Sequence, residues 1–122
     1  MEQQQWEWHP PRPATIAEYE ALPEGAPYEL INGLLTMSPS PSFHHQKYES
    51  RLQRLLFAYL DDHDMAGELV SAPSDIHIGE NTVLQPDLFF MPPELEAQIV
   101  NPKDVRVVPP WVVEIVSPSS TV

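Results

Sequence analysis

The chain has no cysteine among its 122 residues. Disulfide staples and thiolate metal sites are therefore excluded, and a reducing, cytoplasmic setting is the expectation. Cationic residues are scarce as well: 6 Lys and Arg stand against 18 Asp and Glu, a formal charge of −12. Such a surface repels phosphate backbones unless basic residues cluster or cations intervene. No apolar run is long enough to span a bilayer, so no membrane partner is expected, although 42% of the residues are hydrophobic. Met1-Glu2-Gln3-Gln4-Gln5 lacks the basic-then-apolar pattern of a secretory signal. A glycine-rich phosphate loop and a serine nucleophile elbow are also missing. The length suits one soluble domain with a modest core.

Proline is abundant, with 15 residues against a usual share of ~5%. The prolines are scattered, which predicts short elements joined by stiff turns. Residues 1–13, with Trp6, Trp8 and three prolines, read as an irregular arm whose tryptophans cover an apolar surface, on the domain's own core or on a partner subunit. Thr15 with Glu18 three residues on predicts a capping box and a short helix through about Leu22. Asn32-Gly33 between Tyr28–Ile31 and Leu34–Met37 predicts a hairpin. Residues 43–63 read as the main helix, capped by Ser42. Its apolar stripe is Tyr48, Leu52, Leu55, Leu56, Tyr59 and Leu60, and Lys47, Arg51 and Arg54 form a second stripe. Strands are expected near 68–70, 75–78, 82–84, 87–91 and 111–116, with 94–100 a short helix or irregular. One long helix with hairpin-linked strands gives an α+β or mixed α/β class.

Two carboxylates interrupt the apolar strand-like runs: Asp87 in Pro86-Asp87-Leu88-Phe89-Phe90, and Glu114 in Trp111-Val112-Val113-Glu114-Ile115-Val116. A charge there is costly unless it is paired or bound to a cation, and acids have low strand propensity. An edge-strand location, or an ion pair with Arg51 or Arg106, is the plain alternative. Glu29, inside the first hairpin strand, adds a third such acid. Three converging carboxylates repel one another, and a divalent cation relieves that repulsion. With oxygen donors and no thiolate, Mg²⁺ or Mn²⁺ is the expected ion, activating water for phosphodiester hydrolysis.

Four histidines, His44, His45, His63 and His77, offer imidazoles for a transition metal or a general base. Their spacing fits no compact zinc motif, and adjacent histidines on a helix point to different sides, so helix-start and surface roles compete with a functional one. The Lys47-Arg51-Arg54 stripe suits phosphate oxygens, with a solvated helix face as its competitor.

Thr-Ile-Ala-Glu-Tyr-Glu-Ala-Leu-Pro at 15–23, Tyr28-Glu29-Leu30-Ile31-Asn32-Gly33, Phe43-His44-His45-Gln46, Pro86-Asp87-Leu88 and Val113-Glu114-Ile115-Val116-Ser117-Pro118-Ser119 resemble, in that order, the Uma family of restriction-endonuclease-like proteins. The resemblance covers about residues 14–121. It implies a PD-(D/E)XK nuclease core, a mixed central sheet flanked by helices, with Mg²⁺ held by Glu29, Asp87 and Glu114 as metal-binding and catalytic acids. His44, His45, Lys47 and Arg51 are the expected substrate contacts, and DNA the expected substrate class. The motif places a lysine two residues after its second acid, where this chain has Val116. Family members resemble one another in a compensating lysine on the following helix, which this chain lacks; Lys47 and Lys103 do not occupy that place.

Ser117-Pro118-Ser119-Ser120-Thr121 is helix-capping chemistry with only Val122 after it. Domain 14–122 is thus expected to lack a C-terminal helix. Two functions follow: a Mg²⁺-dependent nuclease, or a non-catalytic binding or assembly module on a nuclease fold. Homodimers are the commonest oligomers, so a dimer is the expectation.

Overall fold

In the computed structural model, which describes residues 6–39 and 42–116, the chain begins with Trp6 packed edge-on against Tyr28, ring centroids 5.6 Å apart. Arg12–Pro13 (β1) follows, and then Ile16–Glu20 (α1). The predicted capping box starts α1: the Thr15 hydroxyl accepts from the Glu18 N–H, and the Glu18 side chain accepts from the Thr15 N–H. Tyr28–Ile31 (β2) and Leu34–Met37 (β3) form the predicted hairpin. Asn32 and Gly33 take φ of 49° and 78°, which gives a turn whose twist matches the paired strands.

Phe43–Asp62 (α2) is capped by Ser42, whose hydroxyl accepts from the His45 N–H. The remaining elements are Glu68–Ser71 (β4), Ile76–Ile78 (β5), Thr82–Leu84 (β6), Leu88–Met91 (β7), Pro93–Glu96 (α3) and Val112–Val113 (β8). The strands form a five-stranded sheet, β1-β3-β2-β6-β5, and a three-stranded one, β4-β7-β8. All ladders are antiparallel, with one isolated parallel bridge between Ile76 and Val105. The fold is thus α+β, with hydrogen bonding divided between two sheets. Gln85, Pro86 and Asp87 connect β6 of the first sheet to β7 of the second.

Three apolar clusters hold these parts. Tyr19, Tyr28, Leu30, Leu35 and Val83 pack α1 on the hairpin. Leu60, Leu69 and Phe90, with Leu56 and Trp111 beside them, pack α2 on the smaller sheet. Ile76, Phe89 and Met91 form a third cluster under Leu95, Ile99 and Val105. The six-residue stripe expected on α2 splits between two surfaces. Leu52, Leu56 and Leu60 turn inward, whereas Tyr48, Leu55 and Tyr59 are exposed. The inward line continues toward the helix start through His45 and Glu49, which are both half-buried. Polar residues thus occupy the first two turns of the core-facing side.

No helix of the described residues is long and apolar enough to cross a membrane. The capping serines at 117–120, the expected missing C-terminal helix and part of the 38–42 turn lie outside the described residues.

Candidate functional site

Register places the first pair of acids. In the β7–β8 ladder Leu88 faces Val113 and Phe89 faces Val112, so one step further along Asp87 stands opposite Glu114. Here the ladder gives way to a side-chain contact: the Ile115 N–H donates to Asp87 Oδ2 at 2.6 Å. The Asp87 carbonyl accepts from the Ala72 N–H at 3.0 Å. Buried Pro86 stiffens the approach. Asp87 is thereby held at the mouth of the smaller sheet.

Glu29 comes from the other sheet. Tyr28 and Leu30 are buried in the hairpin cluster, so alternation turns Glu29 to the opposite face. Its Oε2 accepts the Gln85 N–H at 2.7 Å. The connection at residues 85–87 therefore holds one acid by a backbone bond and carries the next as a side chain.

The start of α2 closes the group. His45 Nε2 lies 3.2 Å from Asp87 Oδ1, and His45 Nδ1 lies 4.0 Å from Glu49 one turn on. The side chains of His45, Asp87 and Glu49 retain only 16, 16 and 12% exposure, so this contact is largely shielded from water. His45 Nδ1 is buried without a hydrogen-bond partner.

The carboxyl groups disturb one another. Burial of its carboxyl end, then repulsion from Asp87 and Glu29, pushes Glu114 up to about 7, although the residue as a whole is exposed. Side-chain interaction with Asp87 adds further to the rise. Burial also raises Glu29, against the opposing Gln85 N–H and with Asp87 and Asp75 adding to the rise. Glu49 is raised by burial and by Asp87, with His45 acting in the other direction. No lysine or arginine among the described residues pairs with these four acids. Arg106 instead pairs with Asp104 at 3.0 Å, and Arg51 is exposed.

An oxygen-rich, mutually repelling donor set of this kind fits a hard divalent cation. As the side chains stand, no three His, Asp or Glu residues among those described converge at ligating separation. Asp87 directs its oxygens to His45 and to the Ile115 N–H.

Of the substrate contacts expected from sequence, His45 joins the acids and the others do not. His44 and Arg51 are exposed, and Lys47 Nζ sits 5.5 Å over the Tyr48 ring. His63 stacks on Tyr59 at 4.0 Å, and His77 is buried 3.5 Å from Asp104, so the two lie apart from the acidic group. Sequence reasoning missed Glu49, Asp75 and Gln85. The i, i+4 spacing of His45 and Glu49 on a helix is a signal that could have found the first. An apolar cavity of ≈ 250 Å³ is lined by residues that include Ile76, Ile78, Leu84, Pro86, Val108 and Trp111.

A solved structure from Anabaena variabilis ATCC 29413, described as a "putative nuclease belonging to DUF820", superposes with a TM-score of 0.72 at 21% identity. The match covers 89% of this chain and 62% of that one, so this chain spans less than two thirds of its neighbour. At that identity the likeness establishes the fold, a nuclease-like one. No curated protein matches the chain. The family model of Uma2, described as "Putative restriction endonuclease", matches residues 16–121, and the chain belongs to that family.

Proposed function

We propose that the chain is a metal-dependent nuclease-like domain acting on nucleic-acid phosphodiesters, with Glu29, Asp87 and Glu114 as its metal-binding and catalytic acids. The observation that carries this reading is the register of β7 and β8. It sets Asp87 opposite Glu114, with no lysine or arginine partner for either among the described residues. Mg²⁺ or Mn²⁺ is the ion of choice for such oxygen donors, and when bound it would supply an activated water and offset charge on the phosphodiester.

The chain's own groups prepare that chemistry. The Ile115 N–H fixes one oxygen of Asp87, and His45 Nε2 stands 3.2 Å from the other. Gln85 fixes Oε2 of Glu29. Glu114 retains a proton near neutrality, which must leave before its carboxylate binds a cation. His45 stands with Nε2 3.2 Å from Asp87 Oδ1 and with Nδ1 unpartnered, which sets an imidazole beside the acids. On this reading His44, Lys47 and Arg51 contact substrate from the helix that delivers His45, and DNA is the substrate class. A cytoplasmic homodimer is the proposed working form, to be checked by sedimentation.

Calorimetric titration of Mn²⁺ into the wild type and Asp87→Ala tests the site, and plasmid nicking tests the activity. The expected result is a clear loss of Mn²⁺ affinity in the variant. Equal affinities would sink the assignment.

A second reading has its own observation. Val116 stands where the motif lysine belongs, and no lysine or arginine pairs with the acids among the described residues. That combination favours a non-catalytic binding or assembly module that keeps the metal ligands without a cleavage step. Mn²⁺ binding with no nicking would select it.

A further inference from the structure

A part-buried polar network lies behind Glu29 and ends on it. Gln85 Nε2 donates to Asp75 Oδ1 at 2.6 Å and lies 3.3 Å from the Tyr19 hydroxyl. That hydroxyl donates to the same Asp75 oxygen at 3.0 Å. Tyr19 is held protonated far above the ordinary tyrosine range, by burial and then by Asp75, so it is a permanent donor. The side chain of Gln85 is therefore clamped by α1 on one side and by the segment leading into β5 on the other. Its backbone N–H makes the one hydrogen bond that the Glu29 carboxylate accepts among the described residues.

Asp75 accepts two hydrogen bonds on one oxygen, from Gln85 Nε2 and from the Tyr19 hydroxyl, and together they lock the Gln85 side chain. Between Gln85 and Asp87 stands only Pro86, buried and restricted in φ. Fixing Gln85 thus also fixes the path of the chain into Asp87.

We propose that Gln85, clamped by Tyr19 and Asp75, is the positioning residue that fixes Glu29 and the chain path into Asp87 for binding of a shared divalent cation. The proposal rests on the assignment of Glu29 and Asp87 as ligands, and its test separates the two. Mn²⁺ affinity is measured by calorimetry, well below the melting temperature, for wild type, Gln85→Leu, Glu29→Ala and the double variant. Loss of a ligand's direct hydrogen-bonding partner typically weakens metal binding about 10–100-fold; Gln85→Leu keeps the backbone N–H that Glu29 accepts and removes its clamp, so a measurable loss below that range is expected. In the Glu29→Ala background the same substitution is expected to add much less, because Gln85 acts partly through Glu29.

Tyr19→Phe keeps the ring and removes one arm of the clamp. A smaller loss of affinity is expected there, and this variant decides the matter if Gln85→Leu does not fold. A lower melting temperature with unchanged Mn²⁺ affinity would overturn the positioning role and leave the site intact. So would an equal loss in both backgrounds. Unchanged affinity in Glu29→Ala would remove both the site and the inference.

Discussion

At Glu29, Glu49 and Glu114 folding raises the carboxyl above its ordinary range, with burial as the first cause and repulsion from Asp87 as a further one common to all three. A carboxyl raised in the folded state binds its proton more tightly there than in the unfolded chain. Its contribution to stability is complete below the unfolded value and is lost as pH rises through the folded one. For Glu114 that window runs from 4.5 to about 7. The melting temperature of the metal-free protein is therefore expected to fall between pH 5 and pH 8. Glu114→Gln, which cannot ionise, is expected to flatten that fall, and Mn²⁺ should raise the wild-type midpoint more at pH 8 than at pH 5. Parallel profiles for variant and wild type would contradict the repulsion argued here. Asp87, Glu114 and Glu29 were legible in the sequence because each acid breaks an apolar strand pattern. Asp75 and Gln85 were not, since they sit in loop and connector positions where polar residues are ordinary, and only the tertiary path joins them to Tyr19 and Glu29.

Among the elements, α2 does most to shape the site, because the side it turns inward decides which residues meet Asp87. The heptad-like spacing of Tyr48, Leu52, Leu55, Leu56, Tyr59 and Leu60 gave the length of the helix within a residue, but not its rotation. Apolar residues cover more of the helix than the sheet covers, and the polar His45 and Glu49 share the inward side. Two truncations check the phase. Leu60→Ala removes a side chain packed on Leu69 and Phe90 and is expected to cost about 2–5 kcal/mol in denaturant unfolding. Leu55→Ala, at 69% exposure, should change stability by less than about 0.5 kcal/mol. Comparable losses at both positions would mean a different rotation of the helix. The exit from α2 is constrained too. Gly67 has φ of 144°, and a Cβ there would meet the Phe90 ring at 2.6 Å and the Met91 carbonyl at 2.8 Å. Gly67→Ala is expected to cost at least about 1–3 kcal/mol, from backbone strain before any clash. The hairpin and the α1 cap were legible because Asn-Gly and the Thr–Glu capping box are local chemistry. The division into two sheets was not, because it depends on which strands meet after the 85–87 connection.

Over the whole molecule, an excess of 18 acids over 6 bases means that a polyanion is not attracted by the protein's general field. On the proposed function, productive contact with nucleic acid then has to be local, through a bound cation and the start of α2. The two proposed readings divide on the motif lysine, whose place Val116 takes, and position 116 is well placed to test them. In extended chain, residues two apart share a face, and Glu114 and Val116 are both exposed while Ile115 between them is half-buried. A lysine at 116 would therefore lie on the same face as Glu114, where its charge can stabilise a phosphoryl group in transition. Val116→Lys is expected to give Mg²⁺-dependent plasmid nicking above the wild-type level, with Mn²⁺ affinity little changed. The gain should vanish in Val116→Lys/Asp87→Ala, because the added charge works only beside the acid site. If Val116→Lys binds Mn²⁺ and leaves plasmid intact, the absent lysine is not what limits cleavage, and the binding-module reading gains the ground that the nuclease reading loses.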